Sequence, residues 1–450
     1  MSDWMVTQSP ASGRRPRALS PLREHLRDTF WFAPTLAMVS VFVVWVGAQV
    51  LDTVIVDALQ EDGDYETLDE LLRFAEDAKA VVTVVGSAMM TFIGVVFSIS
   101  LVAVQMASGQ FTPRVVRLFV RSRITKATFA VFLATFVLTL LVLTSFDTAD
   151  DPRDAASVPL VQSVLTLCMV ALSLFLFVLY VNTTLRLMRI SHVIARIATE
   201  SFRVAASMPV PTGGHDGRDG HEAAAHLGSP TAWVPHEGRA GVLRDVHIAR
   251  LVRVARKHGV VLRLIPRIGD FVVPGTPVLA VHGGPAPPRG ALRYTASVGV
   301  ERTYHQDLGF GLRQLSDIAL RALSTAINDP TTAVQALDRI IQFLASLSRR
   351  PLDTALYRDR AGAVRLVQPV PGWTELVDLG FTEVRGCAIG SPQVSRRMLA
   401  GLDDLLLLVP VERREPLLRH RALLRQAVDQ AEPSPADRAF ALRPDRQGIG

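Results

Sequence analysis

Two cysteines in 450 residues exclude a disulfide scaffold and a cysteine-ligated metal centre. Cys168 sits in an apolar run and Cys387 in a polar region, so they are not read as a pair. Lysine is almost absent: Lys79, Lys126 and Lys257 are the only three, and arginine carries the rest of the basic charge behind a net +6. Local catalytic signatures are missing too. No G-x-S-x-G, no P-loop, no H-E-x-x-H and no G-x-G-x-x-G after a strand occurs, and no module that reads nucleic acid is recognised. These absences leave no expected catalytic residue, cofactor, metal or nucleic-acid partner. Charge itself is scarce, at 20% of residues against 49% hydrophobic, and it is missing altogether from four long stretches.

Those stretches lie between Asp28 and Asp52, Lys79 and Arg114, Lys126 and Asp147, and Asp154 and Arg186. Each reaches the roughly 20 residues that a helix needs to cross the hydrocarbon. A signal-peptide reading of the first, with small residues at Val46-Gly47-Ala48, is opposed by the long segment before it and by the length of the run. The flanks alternate in charge. Arg14, Arg15, Arg17, Arg23 and Arg27 precede the first span, Arg114, Arg117, Arg121, Arg123 and Lys126 separate the second from the third, and Arg186, Arg189 and Arg196 follow the fourth. The other two loops are acidic, the first carrying Asp52, Asp57, Glu61, Asp62, Asp64, Glu66, Asp69 and Glu70, all expected to be solvated. The positive-inside rule then places both termini in the cytoplasm of a bacterium, with Trp31 and Tyr180 as aromatic belt residues.

The second span reads VVTVVGSAMMTFIGVVFSISLVAVQMA over residues 81–107, a helix of roughly 40 Å against a core of about 30 Å. Ser87, Thr91, Gly94, Ser98, Gln105 and Ser108 recur at helical spacing and form a single stripe. Small and hydroxylated residues of this kind either pack helices together or line a pore between copies of a homo-oligomer. No span holds an ionisable residue by this reading, which disfavours proton- or cation-coupled transport.

The expected organisation is a basic N-terminus (1–28), a four-helix transmembrane domain (29–181), a helical continuation of the fourth span (182–208), a Gly/Pro/His linker (209–238), a small mixed β module (239–300), a mainly helical domain (301–435) and a disordered tail (436–450). The fold class is thus an α-helical membrane protein with a C-terminal cytoplasmic α+β domain. His215, His221, His226 and His236 in the linker lack the fixed geometry of a metal site. GDFVVPGTPV suggests the turns of lipoyl-type β-sandwiches, but no lysine follows Lys257 to carry a group. Arg250, Arg253 and Lys257 share one face of a short amphipathic helix, read as solvated or as touching anionic lipid heads. Asp329 before Pro330 predicts a helix N-cap in preference to an anion site.

SISLVAVQMASGQFTPRVVRLFVRS, RIGDFVVPGTPV and QDLGFGLRQLSDIALRALSTAINDPTTAVQALDRI resemble a bacterial group of predicted membrane proteins that carries a domain of unknown function. With the four spans, the resemblance covers most of residues 30–400. It implies the architecture and implies neither an activity nor site residues. Two function classes follow from the residues: a homo-oligomeric channel with a regulatory cytoplasmic domain, and a membrane-anchored sensor or scaffold.

Overall fold

The computed structural model describes residues 31–63, 65–110, 122–146, 158–187, 189–208 and 226–449. The basic N-terminus, most of the second and third loops, and His215 and His221 of the linker lie outside the described residues. The chain forms two units, one within Pro21–Arg189 and one running from Ile190 onward.

Among the described residues the first unit holds four apolar helices, α1 (Phe32–Glu61), α2 (Tyr65–Gln110), α3 (Arg123–Leu143) and α4 (Leu160–Leu187), all long enough to cross a membrane. α3 is the hub, packing against α1, α2 and α4. Ser122 caps it by accepting a hydrogen bond from the Thr125 amide. Its inner residues Phe132, Leu138 and Val142 are fully buried, while most of the surface of α1, α2 and α4 is exposed and apolar.

Two expectations change here. The acidic first loop is largely helix. α1 runs to Glu61, Gly63 turns the chain at φ +72°, and α2 starts again at Tyr65. Val56, Ala75 and Val158 pack together in this extension, so apolar positions on the inner side keep the helices going past the point where charge appears. Tyr180 is not a belt residue either. It is buried, its hydroxyl donating to the Val96 carbonyl at 3.1 Å with Ser100 Oγ at 2.5 Å.

The second unit opens with α5 (Ile190–Ser207). The fourth span does not simply continue: α4 stops at Leu187, and α5 is a separate amphipathic helix whose Val193, Ile194, Ile197 and Val204 are buried. They face α8 (Leu308–Ala322) and α9 (Pro330–Leu347). Gly311 of α8 is what permits this approach, since a Cβ there would collide with Ser201 Oγ of α5. Asp329 caps α9 as expected, accepting from the Thr332 amide at 3.0 Å.

Among the described residues eight strands make two sheets. β1 (Ala232–Pro235), β5 (Pro277–His282), β3 (Val261–Leu264), β8 (Val364–Pro369) and β7 (Thr354–Arg358) form one in that order; β4 (Phe271–Val272), β2 (Gly241–Val246) and β6 (Ala296–Gly299) form the other. β4 and β5 flank the Pro274-Gly275 turn without pairing with each other: the chain crosses between sheets there, β4 pairing with β2 and β5 with β1 and β3. α6 (Ile248–Lys257) covers β3, β7 and β8, burying Leu251 and Ala255, and ends beyond His258 at Gly259, φ +69°. A short α7 (Arg289–Leu292) precedes β6.

Three sequence boundaries shift. β1 occupies part of the supposed linker. β8 lies parallel to β3, Leu262 opposite Leu366, so the sheet extends into the region expected to be mainly helical. After α10 (Trp373–Ala388), α11 (Pro392–Leu408) and α12 (Glu415–Ala431), the expected disordered tail forms α13 (Pro435–Ala441) and docks on α11. Arg396 stacks on Phe440 at 4.1 Å, and Gln393 Nε2 donates to the Gly448 carbonyl at 2.6 Å. The composition of this tail looks like a loop's, but the anchoring guanidinium belongs to α11.

Candidate functional site

The polar stripe of the second span has a definite address. The inner face of α2 presents Val82, Met89, Val96 and Ala103, spaced seven apart and each buried. Ser87, Thr91, Gly94, Ser98 and Gln105 are all exposed. At about 100° per residue their mean direction is roughly opposite the inner face. A Cβ on Gly94 would meet nothing within 4 Å, so this glycine serves no close packing inside the chain. Ser87 Oγ donates to the Thr83 carbonyl at 3.2 Å. Exposed apolar residues border the stripe, with Met90, Phe97 and Leu101 on one side and Val84, Val95 and Val102 on the other. The side chain of Ser108 lies outside the described residues.

A second polar seam escaped the sequence reading, which gave a continuous stripe to the second span alone. On α4, Gln162, Thr166, Ser173, Tyr180 and Thr184 are buried, as are Thr128, Thr135 and Thr139 of α3, and the two helices pack together, Thr128 reaching the Leu176 carbonyl at 3.5 Å. Thr135 and Ser173 hydroxyls lie 3.0 Å apart. The others mostly return their protons to carbonyls one turn back, as with Thr166 to Gln162 at 2.9 Å. This is polar adhesion between helices of one chain. The steps of four and seven along α4 were its signal in the sequence.

At one end of the seam stands Asp52. Far from being solvated, it is 1% exposed. Its Oδ1 accepts the Val161 amide at 2.7 Å and its Oδ2 the Gln162 amide at 3.4 Å. A carboxylate from α1 therefore caps the first turn of α4, where free amides and the helix dipole favour negative charge. The neighbouring Gln162 side chain is buried as well.

In the second unit, Arg253 and Lys257 of α6 are exposed and Arg250 is half-exposed, on the face opposite buried Leu251 and Ala255. Arg256, which the sequence reading passed over, is exposed beside them. Two of the family-like segments meet elsewhere. Asp307 caps α8 through the Gly309 and Phe310 amides and is bridged by Arg302, with Nε at 2.6 Å and the second contact at 2.8 Å. Burial pushes its carboxyl above the ordinary range, while Arg302 and the two amides pull it back. Gly269, φ +99°, leaves room for this pair; a Cβ there would lie 2.5 Å from Asp307 Oδ2. Gln306 bonds both the amide and the carbonyl of Val246 in β2. These groups satisfy one another, and the cluster ties the strands to α8. Among the described residues no group of His, Cys, Asp or Glu is arranged to hold a metal ion. His236 is occupied with the Arg239 carbonyl at 2.8 Å.

Comparison with known proteins agrees with this architecture. The uncharacterized proteins Mb1321c of Mycobacterium bovis and Rv1290c of Mycobacterium tuberculosis are each 28% identical over 376 residues, covering 81% of this chain and 71% of theirs. No solved structure matches the chain. The model of one family, described as predicted membrane protein (DUF2254), matches residues 27–404, and with its four apolar helices and α+β region the chain belongs to that family.

Proposed function

We propose that the chain assembles as a homo-oligomeric channel in the bacterial inner membrane, with α2 of each copy facing the symmetry axis. Both termini lie in the cytoplasm, and the unit from Ile190 onward regulates the channel. The observation that carries this reading is the placement of Ser87, Thr91, Gly94, Ser98 and Gln105 on the side of α2 turned away from its own chain. An amide and several hydroxyls facing lipid are unfavourable. A ring of copies removes them from lipid, and the apolar borders of the stripe supply contacts between neighbours. Water in the resulting lumen satisfies the hydroxyls. The reading assigns no catalysis to the protein.

The test is bilayer recording of purified protein, with size analysis on the same sample. Ser98→Leu closes the lumen by dewetting while the oligomer persists, and Ser98→Ala conducts like the wild type. Loss of assembly in Ser98→Leu marks the stripe as a packing face. A strict monomer in mild detergent, or silent bilayers from assembled wild type, overturns the channel and leaves the anchored sensor or scaffold.

A further inference from the structure

We propose that the basic face of α6 docks on anionic phospholipid headgroups at the membrane surface. Arg250, Arg253, Arg256 and Lys257 project from one arc of a ten-residue helix whose other side is fixed on the sheet by Leu251 and Ala255. No acidic residue lies within Ile248–Lys257. Among the described residues none of the four side chains meets a carboxylate or any other hydrogen-bonding partner. Several other arginines of the same unit are matched: Arg267 with Glu375, Arg313 with Glu383, Arg365 with Asp359, Arg397 with Asp338 and Arg421 with Asp403. Four unmatched cations on a rigid, exposed arc call for an anionic surface in place of a single anion, since they diverge around the helix and enclose no pocket. The unit is covalently tied to a membrane helix that ends at Leu187, only three residues before Ile190. A bilayer is thus the polyanion always present, and each base near an anionic leaflet contributes about fivefold to the docked population. The proposal is independent of the channel reading.

The test uses the full chain in nanodiscs, with Cys168 and Cys387 replaced by Ser and an environment-sensitive fluorophore on Ala249→Cys, within the basic arc. Spin-labelled headgroups quench the fluorophore in phosphatidylglycerol nanodiscs and not in phosphatidylcholine ones. Arg253→Gln with Lys257→Gln lowers the ratio of docked to undocked protein by roughly 25-fold, and about 1 M salt abolishes the quenching. Arg263→Gln, at an exposed position of β3 outside α6, is the control and leaves it unchanged. Equal quenching in both lipids, or insensitivity to the double substitution, overturns the proposal. So does a fluorophore that responds to added polynucleotide but not to phosphatidylglycerol, which assigns the face to nucleic acid.

Discussion

Removing the Asp52 carboxylate is the sharpest perturbation of the membrane unit. In Asp52→Ala the Val161 and Gln162 amides lose the acceptors now at 2.7 and 3.4 Å. Both stay in a site that water scarcely reaches, since Asp52 is 1% and Gln162 0% exposed. A buried donor left unpaired costs about 1–3 kcal/mol. The 3.4 Å contact is the weaker of the two, so the loss is about 2–4 kcal/mol. For a unit of this size that corresponds to a melting temperature lower by roughly 5–15 °C. Asp52→Asn keeps one oxygen to accept the Val161 amide and costs about 1 kcal/mol. Fluorescence-detected size exclusion after heating in detergent reads both variants against wild type. A melting point for Asp52→Ala within about 2 °C of wild type would refute the capping argument. If Asp52→Asn falls as far as Asp52→Ala, charge and not hydrogen bonding is what the site requires.

Three further outcomes are expected. With Cys168 and Cys387 replaced, Asp64→Cys and Asp150→Cys react with an impermeant thiol reagent from outside intact cells and Arg121→Cys only from inside; labelling of Arg121→Cys from outside reverses the orientation. Gly269→Ala lowers the yield of folded protein more than Gly275→Ala, because both have positive φ but only the former Cβ meets Asp307 and Arg302; Gly275→Val lowers yield through φ alone, and equal yields across the series would remove the argument. Burial holds the His420 imidazole below its ordinary value, opposed by Asp378 at 2.8 Å; the unfolded chain then binds the proton more readily, so the stability from neutral His420 is full above about pH 6.5 and is lost as pH falls below it. Thermal melts between about pH 7.5 and 5.5 should show that loss, and His420→Leu should flatten it.

Much of this architecture was written in patterns with a local cause. Uncharged runs of sufficient length gave the four membrane helices, because lipid tolerates little else. The Asp329-Pro330 cap acts within four residues, the Asp329 carboxylate accepting the Thr332 amide, so it was legible locally. The misreadings share another origin. Asp52 looked like solvated loop because its partners, the first amides of α4, are more than a hundred positions away. The tail from Pro435 looked disordered because Arg396 and Gln393, which hold it, belong to α11. The stripe on α2 was visible as spacing. Which way it faced was not, since that depends on how Val82, Met89, Val96 and Ala103 meet the other helices.

The parallel pairing of β3 with β8 has a consequence for synthesis. Leu262 waits for Leu366, and roughly a hundred residues must leave the ribosome between them. At about 5–20 residues per second the interval is on the order of 5–20 seconds. Throughout it β3 offers one unpaired edge of Val, Leu, Arg and Leu, a template for illegitimate pairing with another nascent chain. α6 is made just before β3 and can shield a face of the strand but not its edge. Translation speed through residues 265–363 is therefore a determinant of yield, and slowing it lengthens the exposure instead of relieving it.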